Sequence, residues 1–143
     1  MSETILAGGC HCGALALRFI TAKPLDRLPL LACQCRFCRT HGPRATADPE
    51  GRAELILRDP ARLNRYRFAL KTAEYLICRG CGGYIGAVCT AADGERALIN
   101  VNCLADGSGF ARPATPVDYD NEDLATRLAR RQNGWTPVLW VAS

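Results

Sequence analysis

Seven of the nine cysteines in this chain stand in three tight groups: Cys10 and Cys12, then Cys33, Cys35 and Cys38, then Cys78 and Cys81. A gap of one or two residues lets two sulfurs converge on one ion about 2.3 Å away, whereas a disulfide needs Cβ vectors that short turns rarely provide. The spacing therefore points to metal binding, with zinc and tetrahedral sulfur coordination as the expected chemistry.

The glycines suggest how the sulfurs divide into sites. Cys10-His11-Cys12-Gly13 and Cys78-Arg79-Gly80-Cys81-Gly82-Gly83 are both glycine-rich turns at strand junctions, and together they supply four sulfurs, enough for a closed structural zinc. The remaining run, Cys33-Gln34-Cys35-Arg36-Phe37-Cys38, supplies only three. Three protein ligands and one open position is the arrangement of catalytic zinc, where a thiol or hydroxyl substrate could take the fourth place. On the residues alone, Cys89, Cys103 or His41 could instead close this site, or the cluster could be metal-free. Arg36, Arg39 and Arg44 are the nearest cations in sequence for an anionic substrate. His11, between two ligands, is expected to point away from their metal. Cys89 and Cys103 lie in apolar alternating runs, where a free cysteine behaves as a small buried hydrophobe.

Composition narrows the context. The 143 residues are 48% hydrophobic, which is sufficient for an ordinary core and suits a single domain spanning 1–143. Eighteen Lys and Arg against fourteen Asp and Glu give a net charge of +4, too little to argue for nucleic acid. The arginines of residues 58–67 alternate with Leu63 and Tyr66 and read as a solvated strand face. No apolar stretch reaches the roughly 18 residues that span a bilayer. The odd cysteine count and the absence of a visible signal peptide lead us to expect reduced thiols in a cytoplasm.

The elements that must position the cysteines are mostly strands. Period-two or short apolar runs occur at residues 14–20, 53–57 and 75–77, the last leading directly into Cys78. Residues 84–89 and 97–101 flank Ala92-Asp93-Gly94, a strong hairpin cue. Antiparallel sheet is thus expected. One segment, residues 120–131, reads as helix, with Asp120, Glu122 and Asp123 at its start, Leu124 and Leu128 one turn apart, and Arg127, Arg130 and Arg131 toward its end. Gly134 is its expected stop, and Trp135 and Trp140 then serve as packing anchors.

Taken together, Gly9-Cys10-His11-Cys12-Gly13-Ala14, Cys33-Gln34-Cys35-Arg36-Phe37-Cys38-Arg39 and Cys78-Arg79-Gly80-Cys81-Gly82 resemble the glutathione-dependent formaldehyde-activating enzyme family, which includes the centromere protein V-like members. The resemblance covers about residues 8–106, with residues 120–131 as a helical extension. It implies a mainly β, Mss4-like fold of twisted antiparallel sheets joined around zinc. It also implies a structural zinc on Cys10, Cys12, Cys78 and Cys81 and a catalytic zinc on Cys33, Cys35 and Cys38. The implied activity is of the carbon-sulfur lyase type: addition of glutathione to formaldehyde, giving S-hydroxymethylglutathione. Gln34 stands where the family usually has histidine, and Thr40-His41-Gly42-Pro43 and Cys103-Leu104-Ala105-Asp106 also depart from its pattern. These departures bear on which thiol and aldehyde are used. The expected partners are those small molecules, with a homodimer as a further option. The competing readings are a non-enzymatic zinc module for protein or nucleic acid, and a redox or metal-storage protein using Cys33, Cys35 and Cys38 as a switch.

Overall fold

The computed structural model describes residues 2–68 and 70–142. In chain order the elements are β1 (Thr4–Gly9), β2 (Leu15–Thr21), β3 (Leu31–Cys33), α1 (Arg36–His41), β4 (Ala45–Thr46), β5 (Arg52–Leu57), β6 (Leu63–Tyr66), β7 (Glu74–Cys78), β8 (Tyr84–Ala91), β9 (Gly94–Asn100), β10 (Thr115–Val117), α2 (Leu124–Gly134) and β11 (Thr136–Ala142). The strands join in the order β1-β2-β5-β11-β9-β4-β3-β10, and β8, β7 and β6 branch from β9. The mainly β fold expected from the sequence is what forms. Most pairs are antiparallel, but β11 runs parallel to β5 and β10 parallel to β3. Both parallel partners are brought together by long excursions, the connection that parallel pairing requires and hairpin cues do not reveal.

Local chemistry explains the main elements. β2 is buried at every position except Arg18, and its Leu15, Leu17 and Phe19 meet Leu55 of β5 and Ile85 and Val88 of β8 in the larger core cluster. The β8–β9 hairpin turns at Ala92-Asp93, with Gly94 taking a φ of 129° that side chains rarely adopt. A register shift between Leu76 and Ile77 bends β7 just before Cys78.

α2 begins at Leu124, four residues later than expected, because the Asp123 carboxylate accepts the Thr126 amide at 2.7 Å and acts as the cap. The preceding acids lie in turns, and the helix runs on to Gly134. Trp135 then packs with Ala73, Ala87 and Cys89 in a smaller core cluster, and β11 carries Trp140, whose indole donates to Glu95 at 2.8 Å. Both tryptophans are anchors, as expected. Among the described residues no helix is long and apolar enough to cross a membrane.

One buried charge ties the β4–β5 connection to its surroundings. Asp48 is 1% exposed, and its carboxylate accepts the Thr21 hydroxyl at 2.6 Å, the Glu50 amide at 2.9 Å and the Lys23 ammonium at 3.0 Å. Burial alone would raise its pKa, but these hydrogen bonds and the Lys23 charge outweigh burial and hold it below its ordinary 3.8. A depressed carboxylate contributes stability that is present above its unfolded value and is lost as pH falls through its folded value. Asp48→Asn is therefore expected to cost about 1–3 kcal/mol at neutral pH. In thermal melts followed by circular dichroism, the gap between wild type and this variant should close as pH falls below 3.8.

Candidate functional site

The β1–β2 and β7–β8 turns meet at their cysteines. All four sulfurs of Cys10, Cys12, Cys78 and Cys81 lie within 4.8 Å of one another, with Cys10 to Cys12 at 3.8 Å and Cys12 to Cys78 at 3.6 Å. A tetrahedron of sulfurs about 2.3 Å from a central zinc has edges of about 3.8 Å, so this spacing fits such an ion closely. Backbone amides are aimed at the sulfurs, Leu15 N–H to Cys10 at 3.3 Å and Gly80 N–H to Cys78 at 3.3 Å. Gly13 and Gly82 make the turns at φ of 83° and 79°. The Cys12 amide leads in pulling the Cys81 thiol down to about 6, while burial pushes Cys10 up to about 11. Arg62 approaches Cys12 at 3.7 Å and offsets part of the thiolate charge. His11 is exposed and outside the group, as expected.

The second group forms where β3 runs into α1. Cys33 ends the strand, Cys35 caps the helix by accepting the Cys38 amide at 3.4 Å, and Gly42 ends the helix at a φ of 63°. The sulfurs of Cys33, Cys35 and Cys38 lie within 4.8 Å of one another. The hydrogen bond from Cys38 is the main cause that brings Cys33 down to about 6. The Cys35 amide and thiol and the positive charge of Arg130 help, while burial opposes. Cys38 is pushed up in turn by that same hydrogen bond and by burial, and burial raises Cys35. Cys33 is thus the member that carries negative charge most readily.

No fourth ligand joins this trio among the described residues. Cys89 is buried in the smaller core cluster, and the Cys103 thiol donates to the Asn100 carbonyl at 3.0 Å. The His41 ring lies 4.3 Å from Phe37, with Nδ1 3.0 Å from the Phe37 carbonyl. Instead the three cysteines line a cavity of about 410 Å³. Its apolar wall includes Leu31, Pro43, Phe68 and Leu98, and Tyr75 and Tyr84 also face it. Burial raises both tyrosines, Tyr75 to about 12, and neither hydroxyl makes a hydrogen bond among the described residues.

The cations of the cavity differ from those expected. Arg36 and Arg39 are exposed and do not line it, and Arg44 is spent on the Asn102 side chain and the Phe110 carbonyl. Arg127, Arg130 and Arg131 of α2 take that place, with Tyr119 and Glu122 from the segment before the helix. Glu122 holds Arg130 at 2.8 and 2.9 Å, and the Arg130 guanidinium lies 3.6 Å from the centre of the Tyr119 ring. The signal for these residues was the charge order of the helix, which looked like a response to its dipole alone.

No family model matches the chain. A crystal structure of a Rhodobacter sphaeroides protein, solved as a structural-genomics target, aligns with a TM-score of 0.59 at 23% identity. The alignment covers 78% of this chain and 99% of the other. At that identity the likeness shows the fold alone.

The approach of the two turns leaves no room for a side chain at Gly83, where a Cβ would lie 2.9 Å from the Cβ of Cys10 and 3.2 Å from its Cα. Gly83→Ala is expected to destabilise the protein by about 1–3 kcal/mol. In protein loaded with zinc, the same change should speed release from the four-sulfur group to a chromogenic chelator more than from the three-sulfur group.

Proposed function

We propose that this chain is a zinc-dependent enzyme of the carbon-sulfur lyase type, joining a thiol such as glutathione to formaldehyde or a related small aldehyde. The observation that carries the reading is the contrast between the two sulfur groups: four sulfurs that close on each other, and three that line a cavity. The donor sets fit zinc at both, with Cys10, Cys12, Cys78 and Cys81 in the structural role and Cys33, Cys35 and Cys38 in the catalytic one. The resemblance to the formaldehyde-activating family supports the same division. Bound at the second group, zinc would stabilise a substrate thiol as thiolate at neutral pH and polarise a small carbonyl.

The chain's own groups supply the rest. The apolar wall lowers the polarity beside the sulfurs, which strengthens charge interactions along it. Arg130, whose charge acts on Cys33, offsets the negative charge gathered around the sulfurs. In the addition, the sulfur's electron pair forms the carbon-sulfur bond, the carbonyl pair moves onto oxygen, and that oxygen takes a proton. Tyr75 and Tyr84 keep their protons at neutral pH and present unpaired hydroxyls, so either can donate to that oxygen and be reprotonated from solvent. A chemistry that needs free thiol suits a reducing cytoplasm.

The test is zinc content together with thiol-dependent aldehyde consumption, measured as acceleration over the spontaneous addition. Wild type is expected to hold two zincs, and Cys35→Ser one, with activity lost. Tyr75→Phe should retain both zincs and lose about tenfold to a hundredfold in kcat/KM. A protein with one inert zinc and no acceleration for any of several thiols and aldehydes would overturn the proposal in favour of a binding module.

A further inference from the structure

α2 turns its arginines inward and its leucines outward. Leu124 and Leu128 are 49% and 39% exposed, whereas Arg131 is 5% exposed and lines the cavity. Taking a guanidinium out of water is unfavourable unless a carboxylate or a full set of hydrogen bonds replaces the lost hydration. Two of the three arginines have that compensation in Glu122, which holds Arg130 by two contacts and lies 3.7 Å from the Nε of Arg127.

Arg131 does not. Its Nη1 donates to the Thr72 hydroxyl at 2.6 Å, and its guanidinium carbon lies 5.1 Å from the centre of the Trp135 ring. No carboxylate pairs with it among the described residues, its buried Nε has no partner, and its Nη2 makes no hydrogen bond there either. Nε is closed off from the cavity, whereas Nη2 is not, so Nη2 is the nitrogen left to meet a carboxylate oxygen there. Arg96 and Arg127 also have an orphaned Nε, but Arg96 spends its other nitrogens on the Trp135 carbonyl and on Asp93 and does not line the cavity, and Arg127 has the Glu122 carboxylate at 3.7 Å and the Tyr119 carbonyl at 2.9 Å. The cavity wall thus gathers three cations and two carboxylates, Glu122, which pairs with two of the cations, and the exposed Asp120, which pairs with none, leaving the buried charge of Arg131 without a counter-ion. Tyr75 lines the same cavity as Arg131 and the three cysteines.

We propose that Arg131 docks a carboxylate of the small molecule that occupies this cavity, so that the site takes a carboxylate-bearing thiol with its sulfur toward Cys33, Cys35 and Cys38. The thiol part rests on the function proposed above; the carboxylate part rests on Arg131 alone. A thiol lacking a carboxylate leaves the buried guanidinium uncompensated and binds more weakly.

The experiment measures binding to the purified, zinc-loaded full chain by calorimetry and by thermal shift, using 3-mercaptopropionate, 2-mercaptoethanol and propionate. Wild type is expected to bind 3-mercaptopropionate on the order of tenfold or more tighter than 2-mercaptoethanol. Arg131→Met should erase that preference while melting at or above the wild-type temperature without ligand, since it removes an uncompensated buried charge. Arg131→Lys should restore part of the preference. Equal binding of the two thiols by wild type, or a preference that survives in Arg131→Met, overturns the proposal. Should Arg131→Met fail to fold, the wild-type series and Arg131→Lys decide it: the proposal stands if wild type prefers the carboxylate and Lys weakens that preference, and falls otherwise. If propionate binds wild type as well as 3-mercaptopropionate does and both are lost in Arg131→Met, carboxylate docking stands and the thiol reading falls.

Discussion

The meeting of two glycine-rich turns is the constraint on which the rest of the structure depends. Cys10 and Cys78 are buried members of the larger core cluster as well as members of the four-sulfur group, so the sulfur group is continuous with the apolar interior. Its two turns join β1 to β2, at one end of the strand path, and β7 to β8, on the branch from β9. Thiols this close cannot all ionise without strong repulsion, and the amides and Arg62 offset only part of it. A divalent ion held there would resolve that repulsion and convert it into a cross-link between distant strands. Its binding free energy would then count as folding free energy.

The two sulfur groups share a donor type and differ in surroundings, and the difference arises from the chain after residue 106. β10 pairs with β3 in parallel, placing Val117 opposite Cys33, and the Gln34 amide donates to the Val117 carbonyl at 2.8 Å. That pairing fixes the strand that ends at Cys33. It also delivers Tyr119, Glu122 and α2 to the mouth of the three-sulfur group. The segment outside the family resemblance therefore supplies one wall of the cavity. The three sulfurs and the cations that share their cavity are thus encoded in different parts of the sequence.

Cysteine spacing made both sulfur groups legible, because ligands one or two residues apart need only a local turn to converge. The β8–β9 hairpin was equally legible from Ala92-Asp93-Gly94. What escaped was non-local. β3, β4 and β10 have only two or three residues each, too few to show a period, and their partners are set by chain excursions. In α2 the pattern drew attention to Leu124 and Leu128, yet a cavity that takes charge selected the opposite face. Helical periodicity gives the angle between residues but not which face a partner will cover. Tyr75 and Tyr84 read only as strand residues for a related reason: their part in the cavity depends on a loop about forty residues earlier in the chain.

The three-sulfur group is set among packed side chains. Phe37, between Cys35 and Cys38, is the hub of an aromatic cluster, with ring centres 4.7 Å from Tyr75, 5.1 Å from Phe68, 5.5 Å from Tyr84 and 4.3 Å from His41. Such ring pairs hold geometry as well as burying area. They fasten α1 to β7 and β8, while the β10 pairing fastens Cys33 from the other side. Under the proposed function, a site held in this way by its surroundings would exchange an occupant without losing the arrangement of its sulfurs. The first group is held differently, by two turns whose Cys10 and Cys78 are packed into the larger core and whose sulfurs meet amides and Arg62 rather than aromatic rings and a cavity.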